Sequence, residues 1–292
     1  MNISVVIPCY NSSQTLERAL TSISAQTTAA FEIIVVDDNS QDLIETENLI
    51  AKLNNTKLRL LKHRTNKNGS AARNTGIKAA TGDIIALLDA DDEWLPNHLE
   101  QSIKQLKNNN IELCYCKALI KTNKTTDLTL PSNAIKHNET VADYLFLKNG
   151  FIQTSTLVFK KEKVKVLFNE HLIRHQDYDF LLQVEAAGHR IGMSPHIGAI
   201  IHWENNNPAA KGGTWEYSLK WAKNNKGLLG TKAFANFLHK HCITPLLIQK
   251  KRTKALNLFF TNAVFLYLPL KQWAFFISYL IWGRVVFSRI KK

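Results

Sequence analysis

Five uncharged residues, Ile84-Ile-Ala-Leu-Leu88, run straight into Asp89-Ala-Asp-Asp92. An apolar run of that length suits a strand covered on both faces, as in a parallel sheet, so helices must flank it. The strand delivers Asp89, Asp91 and Asp92 at its C-terminal end, where open α/β sheets place their ligands. Carboxylates crowded there repel one another unless a cation joins them. Oxygen-only donors suit Mg²⁺ or Mn²⁺, and Mg²⁺ is typically held by one or two carboxylates together with substrate phosphates. The stretch therefore implies a metal-bridged phosphate ester. The plainer alternative, an acidic loop capping the next helix, stands beside it.

The preceding residues supply the rest of such a sheet. Ser4–Tyr10 predicts a first strand, closed by the Asn11-Ser12-Ser13 turn. Leu16, Leu20 and Ile23 then recur at helical spacing. Phe31–Val36 predicts a second strand ending in Asp37-Asp38, and a helix through Glu47, Leu49 and Leu53 leads to a third at Lys57–Lys62. The loop His63–Gly69, a helix over about Ala71–Ala80 and the strand Asp83–Leu88 follow. Pro96 fits the first turn of a further helix, whose apolar face is Leu99, Ile103 and Leu106. Strands alternating with helices predict a doubly wound α/β fold. No Gly-x-Gly-x-x-Gly follows the first strand and no Gly-x-x-x-x-Gly-Lys-Ser/Thr occurs, which argues against a dinucleotide-binding dehydrogenase and a P-loop.

Four segments stand in order: Ser4-Val-Val-Ile-Pro-Cys-Tyr-Asn11, Ile33-Ile-Val-Val-Asp-Asp-Asn-Ser40, Gly69-Ser-Ala-Ala-Arg-Asn-Thr-Gly76 and Leu88-Asp-Ala-Asp-Asp92. Together they resemble family 2 glycosyltransferases, inverting enzymes of the GT-A fold, of the bacterial surface-saccharide type. The likeness is strong over roughly 3–110 and weaker to about 205. It implies a Rossmann-like, mixed and mainly parallel sheet flanked by helices. It further implies that Pro8, Tyr10, Asn11 and Asp38 hold the nucleoside. Chemically, a carboxylate accepts a base N–H and a tyrosine ring lies against a base; ordinary packing at a strand end is the alternative for Tyr10. Gly69 and Arg73 match the family's Gly-x-x-x-Arg-Asn motif near the nucleotide, where Arg73 either pairs with phosphate or bonds a neighbouring loop. Asp89 and Asp91, with Ala90 between them, match the Asp-x-Asp element that binds the metal–diphosphate unit, the metal being Mn²⁺ or Mg²⁺. Asp92 is expected to support them from behind.

Ile111–Lys121 alternates as a strand does, whereas Thr122–Asn138 is polar and loop-like. Gly150–Phe159 predicts a loop entering a strand. Gln153 and Thr154 there are candidates for the acceptor side, with a plain edge strand as the alternative. In Arg174-His-Gln-Asp-Tyr-Asp179 the resemblance implies that Asp177 is the general base. Gln176 stands where the family usually has Glu, which removes one charge beside the base. His175 is expected at the surface and Asp179 to be structural. Phe180, Leu181 and Val184 anchor the next helix in the core. His202, after a short strand Gly198–Ile201, matches a histidine near the diphosphate and metal in related enzymes. The loop Asn205–Gly213 has the Asn, Pro and Gly content of a lid or a linker.

The four cysteines form neither a Cys-x-x-Cys pair nor a zinc spacing. The N-terminus begins directly with a strand pattern, which predicts a cytoplasmic protein. The net charge of +13 is carried by the tail: Lys211 onward holds 12 Lys and 3 Arg against Glu216 alone. Two apolar runs, Ala255–Leu270 and Trp273–Gly283, lie between Lys250-Lys-Arg-Thr-Lys254 and the basic end. Neither reaches the roughly 20 residues of a spanning helix. Basic flanks with Trp273, Tyr279 and Trp282 suit helices lying in a membrane interface; a packed helical subdomain and a dimer interface are the alternatives. No RNA or DNA module is recognisable, so nucleic acid is not expected as a partner.

These readings predict residues 1–205 as the catalytic domain, with a nucleotide half (1–110) and an acceptor half (111–205), followed by a basic helical region (206–292). The expected reaction is transfer of a sugar from a UDP-sugar to a saccharide, lipid-linked and made into lipopolysaccharide, O-antigen or capsule at the inner face of the cell membrane. A metal-dependent nucleotidyltransferase and a non-catalytic membrane scaffold of the same fold are the rivals.

Overall fold

β1 (Ile3–Cys9) is almost wholly buried and forms the spine of the sheet. The structure, a computed structural model, describes residues 1–108, 110–122, 127–203 and 214–282. The chain divides into two compact units: Met1–Asn138 with Gly150–Asn206, and Glu139–Asn149 with Asn207–Lys292.

In the first unit the order after β1 is α1 (Ser13–Ser24), β2 (Glu32–Asp37), α2 (Leu43–Leu53), β3 (Leu58–Lys62), α3 (Gly69–Ala79) and β4 (Ile84–Leu87). The strands pair in parallel as β3-β2-β1-β4. The chain thus builds outward from β1 to β3, then crosses back to the other side of β1. Ligands of open α/β sheets bind outside the strand ends at such a reversal. Leu16, Leu20 and Ile23 seal α1 onto the sheet, as their spacing predicts. Gly76 explains itself by closeness: a Cβ there would stand 2.3 Å from Val6 Cγ1. Only a residue without a side chain lets α3 lie so near β1.

Beyond β4 come β5 (Glu93–Trp94), α4 (His98–Asn108), β6 (Leu113–Lys121), β7 (Leu128–Leu130), then, after a helix of the second unit, β8 (Val158–Lys160), α6 (Gln176–Ala186) and β9 (Ile191–His202). The sheet continues β4-β8-β6-β9-β5, with β7 beside β6. β6 and β9 run parallel over a long ladder, whereas β8 is antiparallel to both β4 and β6. The expected mixed, mainly parallel sheet is present. Three details differ from expectation. β8 is an interior strand rather than an edge, because the chain returns between β4 and β6. β7 lies within the stretch expected to be loop; its three residues are too few to show a period. α4 starts at His98, two residues after Pro96, which sits in the preceding turn.

The second unit is helical. α5 (Val141–Phe146) comes first in the chain, then α7 (Trp215–Asn224), α8 (Lys226–Leu238), a π turn at His239–Ile243, α9 (Thr244–Ile248), α10 (Arg252–Thr261) and α11 (Leu270–Trp282). Gly230 has φ +66°, a left-handed geometry that kinks α8. Phe146 meets Phe237 edge-on at 5.2 Å, and Phe259 stacks on Phe276 at 3.9 Å with Trp273 edge-on at 5.0 Å. The two apolar runs of the tail thus supply a packed aromatic core. They also leave Phe260, Leu266, Leu270, Ile277 and Ile281 exposed. Among the described residues no helix is long and apolar enough to cross a membrane. The Asn205–Gly213 loop, and the chain from Gly283 on, lie outside the described residues.

Candidate active site

The acidic cluster at the end of β4 is held by an unexpected partner. Thr154–Thr156 form a 3-10 turn just before β8, and Ser155 is fully buried there. Its hydroxyl accepts the Asp89 N–H at 3.1 Å and donates to Asp92 Oδ2 at 2.5 Å. Thr154 Oγ1 donates to Asp89 Oδ2 at 3.2 Å. Asp92 Oδ1 accepts the His202 N–H at 3.2 Å, which pins the end of β9. One serine therefore fixes both the backbone and the side chains of the strand-end loop. A lone Ser between threonines gives no such signal in the sequence; only the return of β8 beside β4 brings it there.

Asp89, Asp91 and Asp92 carry oxygens that lie within 4.8 Å of one another. Asp92 is buried, and burial pushes its carboxyl pKa well up, as do the neighbouring Asp89 and Asp91 charges; the bonds from Ser155 and His202 act the other way. Asp91 is the exposed member, and its carbonyl accepts Arg18 Nη2. An all-oxygen donor set with mutually repelling charges fits a hard divalent cation, so the residues present suit Mg²⁺ or Mn²⁺. His202 lies close by in the chain's fold, but its ring is 3.0 Å from Glu93 Oε1 rather than in the carboxylate group.

Arg73 resolves toward a protein partner. Its Nη2 donates to Asp89 Oδ1 at 2.5 Å, its Nη1 to Gln176 Oε1 at 3.4 Å, and its guanidinium lies 5.5 Å over the Phe168 ring. Gly69 keeps that route open, since a Cβ on it would come within 3.1 Å of Arg73 Nη1. Gln176 also donates to the Leu172 carbonyl at 2.6 Å. A glutamate at 176 would compete with Asp89 for the guanidinium; glutamine leaves the charge pair to Asp89.

Asp177 is the second residue of α6. Burial pushes its carboxyl pKa up, the Tyr178 and Asp177 backbone N–H groups and the Arg73 charge pull it down, and the Asp89 charge raises it again. The net rise is what a general base needs to work nearer neutral pH. His175 precedes it with φ +62° and is buried, not at the surface; its ring stacks on Tyr178 at 5.6 Å, and burial lowers its pKa to about 3. Asp179 is buried on the same helix.

Pro8 lies in β1, and Tyr10 and Asn11 follow its end beside the end of β2. Tyr10 is 50% exposed, so its ring is not part of the core. Asn11 takes φ +49°; its Oδ1 accepts the Gln41 N–H at 2.8 Å and its N–H donates to Ser40 Oγ at 2.9 Å. It ties the two strand-end loops together. Asp38 is buried and works inward: Oδ1 meets His63 Nδ1 at 2.6 Å and the Lys67 N–H at 2.9 Å, and Oδ2 the Asn68 N–H at 2.7 Å. A carboxylate has about four lone-pair sites, so these three contacts leave about one for a further donor. Asn68, with φ +79°, then caps α3 through its Oδ1. Asp89, Ala90 and Asp91 at the end of β4 thus lie with Arg73 and Gly69 of α3 and Asp177 of α6, and a second group, Pro8, Tyr10, Asn11 and Asp38, lies at the ends of β1 and β2.

The profile of Glycosyl transferase family 2 matches residues 4–168. The amylovoran biosynthesis glycosyltransferase AmsB of Erwinia amylovora is 34% identical over 230 residues, 76% of each chain. The UDP-Glc:alpha-D-GlcNAc-diphosphoundecaprenol beta-1,3-glucosyltransferase WfgD of Escherichia coli is 30% identical over 183 residues, 62% of this chain and 69% of that one. The crystal structure of S. aureus TarS 1-349 in complex with UDP-GlcNAc superposes with a TM-score of 0.68 at 18% identity, covering 96% of this chain and 82% of that one. That likeness is one of fold, the GT-A arrangement of strands and helices.

Proposed function

The chain belongs to glycosyl transferase family 2 and is a glycosyltransferase, and from that membership we propose an inverting transfer from a UDP-sugar to a saccharide acceptor. The observation that carries the reading is the linkage of Asp177 to the acidic cluster. Gln176 touches Arg73, Arg73 holds Asp89, and Asp177 itself is a half-buried carboxyl with a raised pKa.

In this reading Tyr10 lies against the base and the remaining acceptor site of Asp38 takes a base N–H. Asp89 and Asp91 would hold the divalent cation, which when bound neutralises charge on the departing diphosphate. Arg73 keeps Asp89 turned toward that position. Ser155 and Asp92 hold the loop rigid, and His202, gripped by Glu93, fixes the end of β9. Asp177 takes the proton from the acceptor hydroxyl as its oxygen attacks the anomeric carbon opposite the diphosphate. One displacement inverts that centre, so an α-linked donor yields a β-glycoside.

The relatives support the substrate class. AmsB takes part in amylovoran biosynthesis and WfgD acts on a sugar diphosphoundecaprenol with UDP-Glc; TarS structures contain UDP and UDP-GlcNAc. We extend this to a lipid-linked saccharide acceptor in surface-polysaccharide assembly, at the cytoplasmic face of the membrane. The exposed apolar residues of α10 and α11, beside exposed Lys250, Lys251 and Lys254, suit contact with an anionic bilayer. The test is a panel of nucleotide-sugars incubated with the full-length protein and Mn²⁺. Release of nucleoside diphosphate from one UDP-sugar is expected. Release of inorganic pyrophosphate from a nucleoside triphosphate and a sugar phosphate instead would make the chain a nucleotidyltransferase and end the proposal.

A further inference from the structure

His98, Cys116 and His196 come from α4, β6 and β9 of the first unit and meet apart from the carboxylates. Their donor atoms lie within 4.8 Å of one another, and Cys116 Sγ is 3.5 Å from His98 Nδ1. Across a tetrahedral zinc, a nitrogen at about 2.1 Å and a sulfur at about 2.3 Å stand about 3.6 Å apart. Gly198 faces all three donors. A Cβ built on it would stand 2.3 Å from His98 Nδ1, 2.6 Å from Cys116 Sγ and 2.7 Å from His196 Nε2. Two imidazole nitrogens and a sulfur therefore crowd together on the open face of Gly198, an approach that any side chain at that position would block.

The sheet distorts to achieve this. Along the β6–β9 ladder Cys116 pairs with Ser194, Lys117 with Ile197 and Ala118 with Ala199. Pro195, His196 and Gly198 are extra residues on β9, and bulges re-aim side chains in this way. His196 Nδ1 lies 2.8 Å from Ser194 Oγ. When Nδ1–H donates to Ser194, Nε2 keeps its lone pair toward the cluster, the outer-shell arrangement common to metal-binding histidines. His196 Nε2 is buried without a hydrogen-bond partner. A thiol–imidazole hydrogen bond from Cys116 to His98 accounts for two members of the group and leaves that third nitrogen idle.

We propose that His98 Nδ1, Cys116 Sγ and His196 Nε2 bind a zinc ion, separate from the hard cation of the catalytic carboxylates. Nitrogen and sulfur donors select Zn²⁺ where carboxylates select Mg²⁺ or Mn²⁺. Three protein donors leave the fourth position to water. The ion would tie the start of α4 to β6 and to β9, the strand that ends at His202. Trp94 rests against His98 with ring centroids 4.7 Å apart, so the bond would also steady the strand that carries Glu93.

The test uses the full-length protein, made without a metal-affinity tag, incubated with excess ZnCl₂ and desalted. Plasma mass spectrometry should find about one zinc per chain. Cys116→Ser and His196→Gln should each reduce retained zinc about tenfold or more, whereas Asp91→Ala should keep it. Zinc should raise the melting temperature of the wild type and not of those two variants. Cobalt-loaded wild type, which needs no variant to fold, should show thiolate-to-cobalt charge-transfer absorption. Zinc retained by Cys116→Ser and His196→Gln as by wild type, loss of zinc in Asp91→Ala, or a cobalt spectrum without charge transfer would overturn the assignment.

Discussion

Asp177→Asn is the most informative single change, because the structure gives it opposite effects on activity and stability. The side chains are nearly isosteric, so the Tyr178 N–H that now supports the carboxylate keeps an acceptor. What is lost is the capacity to take a proton. A general base contributes about 10²–10⁴-fold, which at 1.36 kcal/mol per tenfold is about 2.7–5.4 kcal/mol of transition-state stabilisation. Turnover should fall by that factor with metal-dependent UDP binding unchanged. Stability runs the other way. The folded carboxyl has a raised pKa, first of all from burial. The native state therefore holds its proton at pH values where the unfolded chain has released it, and stability declines as pH rises from the unfolded pKa to the folded one. Above the folded pKa that penalty is fully present, and asparagine removes it. The variant should melt no lower than wild type at pH 7, and the rate of the wild type should fall on acidification at a pH above the ordinary aspartate range of about 3.9. Initial rates, isothermal titration with UDP and Mn²⁺, and melting curves at pH 5 and 7 test all three. Loss of UDP binding together with turnover, or a variant that melts well below wild type, would place Asp177 in the donor site or the fold instead.

Asp91→Ala should abolish transfer and weaken UDP binding only when Mn²⁺ or Mg²⁺ is present; full activity in EDTA would refute the metal assignment. Ser155→Ala leaves the Asp89 N–H and Asp92 carboxylate without their common partner, and an orphaned buried group costs about 1–3 kcal/mol. Chemical denaturation should register a loss of that order, and an unchanged midpoint would show that the serine does not hold the loop. Leu266→Glu with Leu270→Glu, both at exposed positions, should lower flotation with anionic vesicles while the aromatic core of α10 and α11 keeps its melting temperature. Wild-type protein that ignores vesicles at low salt would remove the membrane contact from the account.

The first four strands and three helices were legible because their burial is simple. Each strand of β1, β2 and β4 is covered on both faces, and Leu16, Leu20 and Ile23 mark one face of α1. The acidic cluster was legible for the same reason: it follows the most apolar run of the first half. Long-range returns were not. β8 slots between β4 and β6 with only three residues, and Ser155 reaches the cluster through that return. Arg73 reads equally as a phosphate or a protein partner until Asp89 and Gln176 are seen beside it. His175 looks like a surface residue until α6 folds it against Tyr178. The apolar runs of the tail read as membrane-seeking because periodicity shows which residues are apolar and not what covers them. Phe259 and Phe276 turn out to cover each other, whereas Phe260 and Leu270 stay bare.

The central claim is single displacement with Asp177 as base at a diphosphate leaving group. It is tested without an acceptor, by letting water take that place. The wild-type protein, Mn²⁺ and an α-linked UDP-sugar that supports turnover are followed by proton NMR from the first minutes, before the free sugar equilibrates. The account predicts that the β-anomer appears first and that Asp177→Asn slows its appearance about 10²–10⁴-fold. First appearance of the α-anomer, or an unchanged rate in Asp177→Asn, would contradict it.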